Sequence, residues 1–221
     1  MLFRPMLPEQ VLLAEIAPQA ADPERLHPDE LRAIARAVPK RRQEFAAGRL
    51  LARDLLARAG RPLDALIPDD DRVPRWPSDI TGSITHCNSL CAVALTADPA
   101  ILGLGIDVEP ATPLRDELLP QIVGEVEIAR AAELPAGLHA LAGMLAFCAK
   151  EAVYKALYPQ RRRFLEFHDV ELFWRKDVTD ADGGFDALVH VPDARIDGRE
   201  RVHGRFRIHA GHIGAAVVLA R

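Results

Sequence analysis

Three short segments carry residue types whose spacing suits phosphate and metal chemistry. In GLGIDVEP, residues 103–110, Asp107 and Glu109 stand two apart at the end of an apolar run. In a strand, side chains at i and i+2 leave the same face, so the two carboxylates converge. Such a pair suits a hard divalent cation, because the ion relieves their repulsion and oxygen is the donor it prefers. A solvated strand end has the same pattern. FCAKEAVYKAL, residues 147–157, sets Lys150 beside Glu151 and puts Glu151 and Lys155 at i, i+4 on one helix face, a spacing that an ordinary surface ion pair also uses. GSITHC, residues 82–87, brings Ser83, Thr85 and His86 to a turn leading into a strand, where hydroxyls, backbone N–H groups and an imidazole could hold a phosphate. His86, Cys87 and Cys91 could be read as zinc ligands, but no fourth ligand has recognisable spacing.

The elements that must position these residues are legible from periodicity and punctuation. A helical stretch is expected from about Asp29, as N-cap, to Gly60, with a break at Pro39. In its second section Phe45, Ala52, Leu55, Leu56 and Ala59 share one arc, while Arg42, Arg49 and Arg53 form a stripe, the latter two within about 20° of Arg42. A solvated helix edge would show the same stripe. After the loop LIPDDDRVPRWPSD, a meander of strands is expected at GSITHC, CAVALT and ILGLGIDVE. Residues from about Glu117 to Tyr158 read as helical with a break near Leu134 to Gly137, followed by strands at DVELFW, FDALVHV, GRFRIH and GAAVVLAR. Ile84 to Leu95 and Ile208 to Leu219 share an initial Ile and an Ala-Val-x-Leu ending, a weak echo compatible with two similar lobes.

Composition bounds the function classes. The 221 residues are 49% hydrophobic and 27% charged, as in an ordinary globular protein. A formal net charge of −4 argues against nucleic acid as a main partner, since neutralising phosphates takes a basic surface. Apolar runs such as Ala215 to Ala220 fall far short of the roughly 20 residues of a membrane span. Pro5, Pro8 and Glu9 interrupt the amino-terminal apolar stretch, so no signal peptide and a cytoplasmic location are expected. The three cysteines are expected to be reduced thiols.

In this order, RRQEFAAGRLLAR, WPSDITGSITHC, GIDVEP and FCAKEAVYKAL make the chain resemble the larger 4′-phosphopantetheinyl transferases that activate siderophore, nonribosomal peptide and polyketide synthetases. The motifs span about residues 40 to 158. The resemblance implies an α+β fold of two similar α/β lobes with pseudo-twofold symmetry, residues 1–110 and 111–221, with the active-site cleft between them. It implies transfer of phosphopantetheine from coenzyme A to a serine of an apo acyl or peptidyl carrier protein, releasing adenosine 3′,5′-bisphosphate, with magnesium as cofactor and manganese as a substitute. Asp107, Glu109 and Glu151 become the magnesium ligands, Glu151 and Lys155 the catalytic pair, Lys155 a phosphate contact, and Lys150 a further coenzyme A-binding residue. Arg41, Arg49, Thr85 and His86 then hold the 3′-phosphate region, with Arg72 in the loop as a further contact. Residues 111–135 are the expected platform for the carrier protein, and the enzyme is expected to act as a monomer. Two departures stand out: Ser89 where the family often has glycine, and Phe147 where many members have tryptophan. The same residues would also serve a magnesium-dependent nucleotide phosphohydrolase or a catalytically silent coenzyme A-binding regulatory protein.

Overall fold

The computed structural model describes residues 1–221. Its first half contains β1 (Leu12–Ile16), α1 (Pro28–Ala33), α2 (Pro39–Arg58), β2 (Thr81–His86), β3 (Cys91–Thr96) and β4 (Ile101–Pro110). The second contains α3 (Leu119–Ile122), α4 (Glu125–Arg130), α5 (Ala142–Arg161), β5 (Val170–Trp174), β6 (Asp182–Val189), β7 (Arg201–His209) and β8 (His212–Ala220). The strands form two antiparallel sheets, ordered β1-β3-β2 and β4-β8-β7-β6-β5, so the class is α+β as expected. The expected division after Pro110 falls at the far end of β4, which ladders with the second sheet. The break between sheets lies just before β4. The segments that echo one another fall on the β2–β3 and β7–β8 hairpins.

Two expectations about helices are corrected. His27, not Asp29, caps α1, in a reciprocal box with Glu30, and the chain leaves helix at Ile34 before resuming at Pro39. The predicted long helix over residues 117–135 is only two short pieces and 3-10 turns, because Pro120, Gly124 and Pro135 punctuate it. Gly60 does terminate the α2 region, with φ of +71°. The last helix runs past Tyr158 to Arg161, with Pro159 inside its last turn.

The main core joins α5 to one face of the second sheet, through residues such as Leu145, Val153, Phe185, Phe206 and Val217. Helix and sheet approach closely because β4 presents glycine. A Cβ on Gly105 would lie 1.9 Å from the Ala152 carbonyl oxygen, and one on Gly103 2.5 Å from that of Ala156. This contact sets the KE motif over the end of β4. Leu2, Phe3, Met6 and Val11 cover the other face of β4 together with Ala92 and Ala94 of β3. Hydroxyls stitch β2 to β4: Ser83 Oγ accepts from Ile106 N–H (3.1 Å) and Thr85 Oγ1 from Val108 N–H (3.0 Å). The helical stretch of residues 136–161 has the length and mean hydropathy of a membrane span, but its apolar side is spent on this core and it carries Lys150, Glu151 and Lys155.

Candidate active site

Asp107 projects from β4 into the junction of β2, β4 and α5 and is only 4% exposed. Its Oδ1 accepts from Thr85 Oγ1 (3.1 Å) and Lys155 Nζ (2.5 Å), whereas its Oδ2 is buried with no partner. A buried carboxylate oxygen left unpaired costs free energy unless something else meets it. Glu109 shares the face of Asp107, and Glu151 approaches from α5, close enough for the charges to interact. Burial, reinforced by Asp107 and Glu151, pushes the Glu109 carboxyl up to about 7. Burial also raises Glu151, against the attraction of Lys155. Burial alone would lower the Lys155 ammonium, but Asp107 and Glu151 hold it above the ordinary lysine range. The junction is an excess of carboxylate around one cation, a donor set that fits a hard divalent ion. As they stand, no three His, Cys, Asp or Glu side chains are gathered closely enough to share one ion, but the unpartnered Asp107 Oδ2 leaves a buried oxygen free to meet one. The absence of such a group holds equally for the zinc reading of His86, Cys87 and Cys91.

Beside this junction lies a cavity of about 480 Å³ lined by Arg36, Arg41, Arg49, Arg72, Glu44 and His86, among others. Arg49 is 6% exposed, with its guanidinium 4.2 Å from the Phe45 ring and its buried Nε unpartnered. Burial drags its pKa down to about 10 even though the Glu30 charge opposes this. The solvated-edge reading of the arginine stripe fails here, while Arg42 caps the Ala35 and Ala37 carbonyls and Arg53 reaches Asp64 and Arg25 carbonyls. Arg41 Nη1 lies 2.6 Å from His86 Nε2. A guanidinium only donates, so His86 accepts at Nε2 and carries its proton at Nδ1, 3.7 Å from Glu44. Burial and Arg41 lower the imidazole pKa, in keeping with that neutral form. The cavity is cationic, partly dehydrated and incompletely paired, as an anion site should be.

The structure gives two of the expected contacts other partners. Lys150 is 2% exposed, and its ammonium donates to Ile122 O (2.8 Å), Glu127 Oε2 (2.8 Å) and Phe167 O (3.0 Å). Its three protons are spent, and it ties α5 to α3 and α4 instead of facing a phosphate. The Thr85 hydroxyl proton goes to Asp107, so Thr85 orients a carboxylate and does not face the anion cavity. Arg36 and Glu44 line that cavity without having been singled out from sequence. Arg36 sits in the hydrogen-bonded turn between α1 and α2, and Glu44 lies within the RRQEFAAGRLLAR segment, where the arginines drew the reading. The Ser89 departure leaves the turn closed, with Cys87 N–H donating to Leu90 O, and its hydroxyl lies 2.7 Å from His212 Nε2 of the β7–β8 hairpin. On the other side of Glu151, Phe147, Tyr154, Phe164, Leu165 and Phe167 line an apolar groove of about 500 Å³.

Comparison with known proteins adds an independent line. The family model described as the 4′-phosphopantetheinyl transferase N-terminal domain matches residues 29–96, and that of the 4′-phosphopantetheinyl transferase superfamily matches residues 103–191. The chain is 39% identical over 211 residues to the 4′-phosphopantetheinyl transferase Svp of Streptomyces mobaraensis, covering 88% of this chain and 79% of that protein. It is 34% identical to PptT of Mycobacterium tuberculosis (87% and 85% covered) and 32% identical to Npt of Nocardia iowensis (99% and 100% covered), both 4′-phosphopantetheinyl transferases.

Proposed function

The chain belongs to the 4′-phosphopantetheinyl transferase superfamily, and we propose that Asp107, Glu109, Glu151 and Lys155 at the β2–β4–α5 junction carry its reaction. It is an enzyme that transfers phosphopantetheine from coenzyme A to carrier proteins. The acceptor in our reading is a serine hydroxyl of an apo acyl or peptidyl carrier protein, and the product is adenosine 3′,5′-bisphosphate. The observation that carries this assignment is the buried, unpartnered Oδ2 of Asp107 beside an Oδ1 already shared by Thr85 and Lys155. Asp107, Glu109 and Glu151 would hold magnesium, which when bound supplies charge neutralisation to the pyrophosphate.

The chain's own groups supply the rest. Arg49, Arg41, His86 and Arg72 bind the nucleotide end, a role supported by their shared cavity. The apolar groove beside Glu151 suits the pantetheine arm, with Tyr154 and Phe164 rings 5.8 Å apart along it. Lys155 neutralises charge building on the departing bisphosphate. Glu151 takes the serine proton; its raised pKa supports this, since a base works best with a pKa near the operating pH. Residues 111–135 receive the carrier protein, and the exposed Val126 and Ile128 of α4 support that placement. The two halves act as similar lobes on either side of the junction, in a cytoplasmic monomer. Mass spectrometry of an apo carrier protein incubated with coenzyme A, magnesium and this enzyme tests the assignment. A covalent phosphopantetheine adduct is expected, lost on Asp107→Ala; an undiminished adduct with that variant would remove Asp107 from the site.

A further inference from the structure

We propose that Arg162, at the C-terminal end of α5, is a positioning residue for coenzyme A: it clamps the Asp69–Asp71 turn and thereby holds Arg72 in the nucleotide-end cavity. The inference rests on the reading of that cavity given above. Residues 67–75 form a small closed loop. Arg75 N–H donates to Ile67 O (3.0 Å), Asp69 N–H to Val73 O (2.9 Å) and Arg72 N–H to Asp69 O (2.9 Å). Arg72 closes the turn with φ of +66° and lines the cavity beside Arg41, Arg49 and His86. Glycine is the default residue at such a left-handed position, since it meets no Cβ penalty there. Arg72 holds this conformation with its side chain lining the cavity, so what fixes the turn also fixes the arginine.

What holds the loop comes from the other half of the molecule. Arg162 Nη1 lies 2.5 Å from Asp69 Oδ2 and 3.7 Å from Asp71 Oδ2, with its guanidinium 5.8 Å from the Tyr158 ring. Arg162 is itself left-handed, with φ of +52°, at the C-cap of α5. Burial would raise the Asp69 carboxyl, but the Arg162 and Val73 hydrogen bonds hold it below the usual range. Two consequences follow from this contact. The helix that bears Glu151 and Lys155 also fixes how far Arg72 stands from them. Arg162 also neutralises aspartates that would otherwise repel an anionic ligand nearby.

Steady-state kinetics with an apo carrier protein on the full chain test the clamp. Arg72→Gly, which relieves the backbone strain while removing the side chain, should raise KM for coenzyme A roughly tenfold, the scale of one charge-assisted hydrogen bond. Arg162→Ala should reproduce that rise with kcat within about twofold, Arg162→Lys should recover most of it, and the double variant should be no worse than Arg72→Gly alone. KM does not depend on the fraction of enzyme folded, so a loss of stability would not mimic the result. An unchanged KM in Arg162→Ala, or effects of the two substitutions that multiply, would overturn the clamp. Arg49→Ala is the control for the cavity itself. If it too leaves KM unchanged, the nucleotide-end reading falls and the clamp with it; if it raises KM while Arg162→Ala does not, the clamp alone is wrong.

Discussion

Glu151 and Lys150 are neighbours in the chain with opposite fates, and each makes a prediction. Glu151→Gln keeps the side-chain shape but removes the charge and the proton acceptor. General-base contributions are typically about 10² to 10⁴ in rate, whereas weakened metal binding can be offset by more metal. We expect kcat at saturating magnesium to stay at least about 100-fold down, with coenzyme A binding by calorimetry retained; recovery of kcat would reduce Glu151 to a ligand. Lys150→Ala should act on stability instead. It leaves the largely buried Glu127 carboxylate without its lysine, held by the Gly124 and Leu172 N–H groups, and breaking such a pair from one side costs about 3–5 kcal/mol. Denaturant unfolding measures that loss, and an intact stability with a raised KM for coenzyme A would return Lys150 to the phosphates. The sequence itself held a warning: Lys150 and Lys155 are five residues apart, about 140° around a helix, so one cleft cannot receive both. Local spacing puts Asp107 with Glu109, and Glu151 with Lys155, on one face each, but it equally suits a solvated strand end and a surface ion pair, and the meeting of the two pairs depends on α5 packing over β4. The role of Thr85 was not legible, because the direction of its hydroxyl depends on β4, a strand distant in sequence.

At the scale of elements, strands with clean alternation or apolar runs were readable: β2, β3 and β4, and β5 to β8, all lie where composition puts them. β1 escaped notice because LLAEI has no alternation and owes its strand form to pairing with β3. The 117–135 region misled because scattered apolar residues imitate a helical period while proline and glycine cut every run short. Those short pieces need external ties, and besides the Lys150 contact to α5, α4 is tied to β5. Arg130 Nη1 reaches Glu171 Oε1 of β5 (2.7 Å), and that hydrogen bond is the main cause holding the Glu171 carboxyl below its usual range. A depressed folded-state pKa contributes stability above the unfolded value, near 4.5, which is lost as pH falls through the folded value. Glu171→Gln should therefore lower the melting temperature at pH 7 and make progressively less difference below about pH 4. A deficit that persists unchanged in acid would mean that packing, not ionisation, secures α4.

The whole molecule divides the site between its two sheets. The cations proposed for the nucleotide end come from α2, β2 and the loop before it, whereas Asp107, Glu109, Glu151 and Lys155 stand on β4 and α5. β2 meets β4 through Thr81, Ser83 and Thr85 hydroxyls rather than a backbone ladder, so the junction has few directional bonds of its own. Coenzyme A, with phosphates at both ends of the nucleotide, is long enough in charge to engage both halves. In the arrangement proposed above its pyrophosphate would meet a carboxylate cluster and be repelled until that charge is neutralised. Magnesium and coenzyme A should thus stabilise the fold cooperatively. A ligand at 100 times its Kd adds about 2.7 kcal/mol, worth on the order of 5–10 °C in a chain of this length. We expect coenzyme A in chelator, and magnesium alone, each to raise the melting temperature by much less than the two together exceed the free protein. Asp107→Asn should remove the excess while leaving the shift from coenzyme A in chelator in place, because the nucleotide-end cavity is untouched. Strictly additive shifts in the wild type would show that metal and donor bind without sensing each other, and the carboxylates at the β2–β4–α5 junction would then have no part in holding the pyrophosphate.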